Sequence, residues 1–97
     1  MTRLGYQIPN FTYPGIESAD TFANVIAQAQ AAEAAGFDRV FVMDHFYQLP
    51  GIGAPSGPMF ECYTLLSALA QHTTSVRLSA LVTGNTYRHP TLLAKTI

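Results

Sequence analysis

Residues 31–46 read AAEAAGFDRVFVMDHF. The alanine-rich start suits a helix, and Gly36 sits where a helix stops. Arg39 then leads into Val40 to Met43, a short apolar strand, and the strand ends on Asp44-His45. Helix, glycine stop, arginine, apolar strand and polar exit make the joint between two βα units.

The same joint recurs along the chain. Strand candidates run from Leu4 to Ile8, from Val40 to Met43 and from Leu78 to Val82, and each directly follows an arginine: Arg3, Arg39 and Arg77. The arginines are 36 residues apart (3 to 39) and 38 apart (39 to 77). That interval holds a strand, a loop, a helix and a return turn. The helix between the first two strands spans about Asp20 to Ala35, with Phe22, Val25, Ile26, Ala29 and Ala32 on one face and Ser18 or Asp20 able to cap its start. The next spans about Met59 to His72, with Leu65, Leu66 and Leu69 as its stripe, Pro58 at its entry, Glu61 in its first turn and His72 as a cation at its end. A third begins near Pro90.

The pattern is βαβαβα. Its strands are short and nearly all apolar, as expected for parallel strands covered on both faces. Right-handed crossovers place the helices either in one outer layer of a barrel or on the two faces of an open sheet. Eight units of about 37 residues would make about 300, the size of a (β/α)8 barrel. Residues 1–97 then amount to about the first three βα units of such a domain. Composition agrees. Of the 97 residues, 48% are hydrophobic and only 11% charged. A free-standing small domain needs more polar cover, nearer 25% charged. The expected cover is further chain, a partner or self-association.

Other classes are excluded early. A formal net charge of -1 leaves no footprint for nucleic acid or an anionic membrane. No run approaches the roughly 18 apolar residues of a membrane helix. A single cysteine, Cys62, allows no internal disulfide and fits a reducing, cytoplasmic setting. His45, His72 and His89 lack ligand spacing, which argues against a metal. No complete phosphate-loop or dinucleotide fingerprint occurs.

Polar residues gather at the carboxyl ends of the strands, where barrels place their sites. They are Gln7 and Asn10, then Asp44 and His45, then Thr83 and Asn85. His45 can exchange a proton near neutral pH. Asp44 can accept a hydrogen bond from a ring; alternatively it caps the following turn while His45 packs. In TGNTYRHP (83–90), the Thr83–Asn85 segment lets backbone approach a ligand, Tyr87 could stack on a ring, and Arg88 could hold a phosphate or carboxylate. The alternative is an ordinary loop before a helix. The Pro/Gly-rich stretch YQLPGIGAPSGP (47–58) is long for a βα loop, and such loops are often functional.

Together, AAEAAGFDRVFVMDHF and VRLSALVTGNTYRHPTLLAK (76–95) resemble the luciferase-like monooxygenases and their deazaflavin-dependent relatives. The resemblance implies a TIM-like barrel with the flavin or deazaflavin ring at the carboxyl end of the strands. It implies that Asp44 contacts the ring and that His45 is the catalytic proton donor or acceptor. It implies a non-prolyl cis peptide behind the ring at Ala80-Leu81, with Thr83 and Asn85 at ring or tail contacts. It favours coenzyme F-420, with FMN as the alternative, and hydride transfer to or from a small organic substrate in a homo-oligomer. The family's glutamate after the first strand is not matched; Gln7 and Asn10 stand there. The 97 residues alone are expected to bind coenzyme weakly or not at all. The competing reading is a non-enzymatic chain that folds by self-association or with a complementing chain.

Overall fold

The computed structural model describes residues 1–97. The elements are β1 (Gly5–Gln7), α1 (Thr21–Ala34) entered through a 3-10 turn at Ser18–Asp20, β2 (Arg39–Val42), α2 (Cys62–Leu69), β3 (Arg77–Ala80) and α3 (Pro90–Thr96). The three strands form one parallel sheet in the order β1-β2-β3. The register aligns Gly5 with Arg39 and Arg39 with Arg77. The repeat seen as a sequence interval is therefore a spatial row. Backbone bonds from Ile8 N to Phe41 O and from Leu81 N to Val42 O continue the ladder past the strand ends.

Alternation along the strands sorts the side chains onto two faces. Val40 and Val42 are fully buried in one cluster with Val25, Ala29 and Ala32 of α1 and Leu65, Leu66 and Leu69 of α2. Both helices thus lie on one side, as one layer. The other face carries Gln7, Arg39, Phe41, Arg77 and Ser79. There Arg39 Nη1 donates to Ser79 Oγ at 3.1 Å, which shows the two on the same side. The helices thus form the single outer layer expected of a barrel, and the opposite face is less covered, with Gln7 and Arg77 exposed and Arg39, Phe41 and Ser79 half-buried. Burial is limited to 15 of 97 residues, so Leu4, Leu81, Val82, Leu92 and Ile97 remain exposed.

The helix ends differ from the sequence reading for local reasons. Neither Ser18 nor Asp20 caps α1 with its side chain; Asp20 is already in the helical region (φ -97, ψ -2), whereas a capping residue needs extended backbone. Gly36 ends α1 with φ +81, a left-handed conformation that favours glycine. α2 starts later than Met59, because Glu61 is its extended N-cap and accepts from Thr64 N at 2.7 Å. His72 lies beyond the end of α2; its ring packs edge-on to Phe22 and its carbonyl accepts from Gln30 Nε2. Glu33 Oε1 accepts from Thr74 N, Ser75 N and Val76 N and so fastens α1 to the turn entering β3. Those bonds, led by the one from Ser75, hold the Glu33 carboxyl down at about 2.

The non-prolyl cis peptide is at Leu81–Val82, one bond later than the expected Ala80–Leu81. Leu81 N is still a ladder donor to Val42 O, so regular pairing runs through Ala80 and the chain departs from it only afterwards.

Candidate functional site

The carboxyl ends of β2 and β3 meet around one guanidinium. Asp44 follows β2 and is buried. Its Oδ2 accepts from Arg88 Nη1 at 2.6 Å and its Oδ1 from Arg88 Nη2 at 2.7 Å, a two-pronged pair. Oδ2 also accepts from Gly84 N at 2.8 Å. Arg88 reaches Glu61 as well, at the start of α2. The guanidinium lies over the Tyr63 ring, 4.8 Å from its centre. The Tyr63 hydroxyl shares a 2.6 Å hydrogen bond with Thr83 Oγ1. Segment 83–88 is therefore tied to β2 through Asp44 and to α2 through Tyr63 and Glu61.

The charges in this cluster are mutually set. The Arg88 hydrogen bonds hold the Asp44 carboxyl below the usual carboxylate range, against the burial that opposes its ionisation. Burial also opposes ionisation of Glu61, but the Thr64 amide and Arg88 prevail and bring it down to about 2. Asp44 and Glu61 raise the Arg88 pKa further. Burial pushes the adjacent Cys62 thiol up to about 12, so it stays a packed thiol and not a nucleophile.

The other sequence-predicted residues sit around this knot. His45 is exposed and borders a shallow cavity of about 410 Å³ with Phe46, Gln48, Pro55 and Tyr87. Tyr87 stacks on Phe46, ring centres 4.3 Å apart, so its ring partner lies within the chain. Ala80 and Thr83 border a different cavity of about 440 Å³, between α2, β3 and the end of α3. Leu81 and Asn85 are exposed, and so is Val82 between Leu81 and Thr83. Asn10 serves the long loop, donating from Nδ2 to Ile52 O at 2.6 Å. The fold thus joins Asp44 to Gly84 and Arg88, while His45 and Thr83 border two different cavities.

Gln48 had no sequence signal beyond its place in a long loop. It is buried, and its Oε1 accepts from Phe11 N at 3.2 Å while its Nε2 donates to Thr12 Oγ1 at 2.8 Å and Pro58 O at 2.9 Å. It braces the loop after β2 against the loop after β1. Glycines at 53 and 57 leave room for it, since a Cβ at either would strike its amide.

These side chains suit a flat, polar-edged ring better than a phosphate. An imidazole, a carboxamide and the apolar faces of Leu81 and Val82 are exposed at the strand ends. The one cation there, Arg88, is committed to two carboxylates. The remaining arginines stand at the strand starts, and Lys95 lies in the last turn of α3.

The model of the luciferase-like monooxygenase family matches residues 2–97. Among solved structures, the chain is similar to the oxygenating constituent of 3,6-diketocamphane monooxygenase, a type II Baeyer-Villiger enzyme from the CAM plasmid of Pseudomonas putida in complex with FMN. Identity is 24% and the TM-score 0.71, over 98% of this chain and 25% of that one. It is also similar to an F-420-dependent secondary alcohol dehydrogenase in complex with an F-420–acetone adduct, with 27% identity and a TM-score of 0.70 over 98% of this chain and 26% of that one. Comparison with curated proteins gives no match. The chain spans about a quarter of the length of the solved structures it matches.

Proposed function

Since the chain belongs to the luciferase-like monooxygenase family and has the N-terminal βαβαβα portion of a TIM-like barrel, we propose that it builds one side of the coenzyme-ring site of a flavin- or deazaflavin-dependent oxidoreductase. The observation that carries this reading is the meeting of the β2 and β3 ends at Asp44 and Gly84, beside an exposed His45. When bound, the coenzyme supplies the hydride acceptor or donor for a small organic substrate. His45 gives or takes the proton that accompanies the hydride on oxygen. Leu81 and Val82 offer apolar surface to one ring face, and Thr83 and Asn85 offer hydrogen bonds to its polar edge. Asp44 acts on the ring's surroundings through Gly84, because Arg88 occupies both of its oxygens. F-420 is favoured over FMN by the Asp44-His45-Phe46 run and the TGNTYRHP loop. The phosphate-bearing tail is left to other residues, because Arg88 is already paired.

The test is a titration of the isotope-labelled chain with F-420 and with FMN, followed by NMR. Weak binding that shifts His45, Thr83 and Asn85, and more with F-420, is the expected result. Shifts confined to Arg3 and Arg77, at the opposite end of the strands, overturn the reading.

A second reading, a chain that associates with copies of itself, is favoured by the free edges of β1 and β3 and by exposed Leu4, Leu81, Leu92 and Ile97. Sedimentation decides it: a compact monomer at high concentration rules it out.

A further inference from the structure

Arg88 links the end of β2 to the start of α2. Its fork grips Asp44 after β2, its Nη2 also reaches Glu61 at the start of α2, and its plane covers Tyr63. Two of these contacts pass on to segment 81–85. Asp44 holds Gly84 N, and Tyr63 holds Thr83 Oγ1. Gly84 is further fixed by Tyr87, whose backbone N donates to Gly84 O at 3.2 Å and whose ring leaves no room for a Cβ at 84. Only 16% of the Arg88 side chain and 4% of that of Asp44 is exposed, so water competes little for these bonds.

We propose that Arg88 is a positioning residue: through Asp44 and Tyr63 it fixes the backbone of Leu81 to Asn85 in the shape that receives the coenzyme ring, without touching the coenzyme. This rests on the coenzyme-site reading above for what the segment receives, and on the geometry alone for the fixing. A fork is required. Arg88 meets both Asp44 oxygens and a second carboxylate at once, which a lysine ammonium on a flexible stem does not reproduce. The groups that face Asp44 are Arg88 and Glu61, with the Cys62 thiol and the Tyr63 ring beside them. Arg88 is thus the only cation keeping Asp44 ionised as the acceptor of Gly84 N.

The experiment compares the whole chain with Arg88→Gln and Arg88→Lys. The Gly84 amide proton shift is followed from neutral pH into acid, alongside hydrogen exchange at Gly84 and Val42, thermal melting, and affinity for F-420 and FMN. Removing the fork is expected to move the Gly84 titration midpoint up by about one pH unit or more. Gly84 exchange should rise at least tenfold more than Val42 exchange, and any coenzyme affinity should fall by up to roughly 100-fold. Lysine should restore the melting temperature more fully than the Gly84 behaviour. A merely structural role would lower melting and raise exchange throughout while leaving the Gly84 midpoint in place; that result overturns the proposal. So does unchanged coenzyme affinity in a variant whose Gly84 is demonstrably loosened. If the unsubstituted chain binds neither coenzyme, the Gly84 midpoint alone decides the positioning role. Should Arg88→Gln not fold, Arg88→Lys together with Tyr63→Phe, which frees Thr83 alone, decides it by the same readouts.

Discussion

Asp44 and Arg88, separated by 44 residues in sequence, meet through two parallel hydrogen bonds of 2.6 and 2.7 Å at the carboxyl end of the sheet. One lies at the end of β2 and the other just before α3, so the pair closes the third βα unit onto the second. Asp44→Asn removes one charge and leaves Arg88 with Glu61 alone. A buried pair broken on one side costs about 3–5 kcal/mol, and the remaining Glu61 contact places this case near the lower limit, about 3 kcal/mol. The midpoint of urea unfolding measures it.

Acid should loosen the same region. Asp44, Glu61 and Glu33 all have folded-state pKa values below their ordinary ones. A depressed carboxylate contributes stability above its unfolded pKa of about 4, and that contribution is lost as pH falls through the folded value. Glu61 and Glu33 titrate at about 2 in the fold. Melting temperature is therefore expected to change little through these groups above pH 5 and to fall between about pH 4 and 2. Glu33→Gln should flatten part of that fall, read from melting curves across the series.

Gln48→Ala should destabilise through three lost partners. Phe11 is fully buried, and a buried donor left unpaired costs about 1–3 kcal/mol. Thr12 Oγ1 and Pro58 O lose their donor as well. The expected total is about 2–3 kcal/mol. Faster proteolytic nicking within residues 49–57 should accompany it. Unchanged nicking would separate the loop from its brace.

Gly84→Ala tests packing and not backbone strain, because its φ is outside the left-handed region. The new Cβ would lie 2.5 Å from Tyr87 Cδ2. Tyr87 is 43% exposed and can swing away, so the stability cost should stay near 1 kcal/mol. The Phe46–Tyr87 stack should be lost, which ring-current shifts of Phe46 protons report.

Leu69 is fully buried between α2 and the sheet, so Leu69→Ala should cost about 2–5 kcal/mol. In a chain with only 15 buried residues, that loss is expected to abolish cooperative melting.

The order of strands and helices was legible in the residues because each signal is local. In this chain an arginine followed by an apolar run leads into each strand, and Gly36 ends a helix through its own backbone. Parallel pairing followed from the helices lying between the strands. The polar residues that follow each strand were legible for the same local reason. Strand faces were less legible. Gln7, Arg39 and Ser79 alternate with Tyr6, Val40 and Leu78, yet the runs are so short that two faces read as one apolar stretch.

The partners of Arg88 belong to the tertiary structure alone. In sequence it is a free cation in a polar loop, equally suited to a phosphate, a carboxylate or water. The fold brings Asp44, Glu61 and Tyr63 to it from two other units, and burial makes those bonds outlast competition from solvent. The residues by themselves determined a βαβαβα chain with its polar groups at the strand ends. Whether Asp44 faces a ligand or an arginine was decided by distances across 44 residues, which no local pattern encodes.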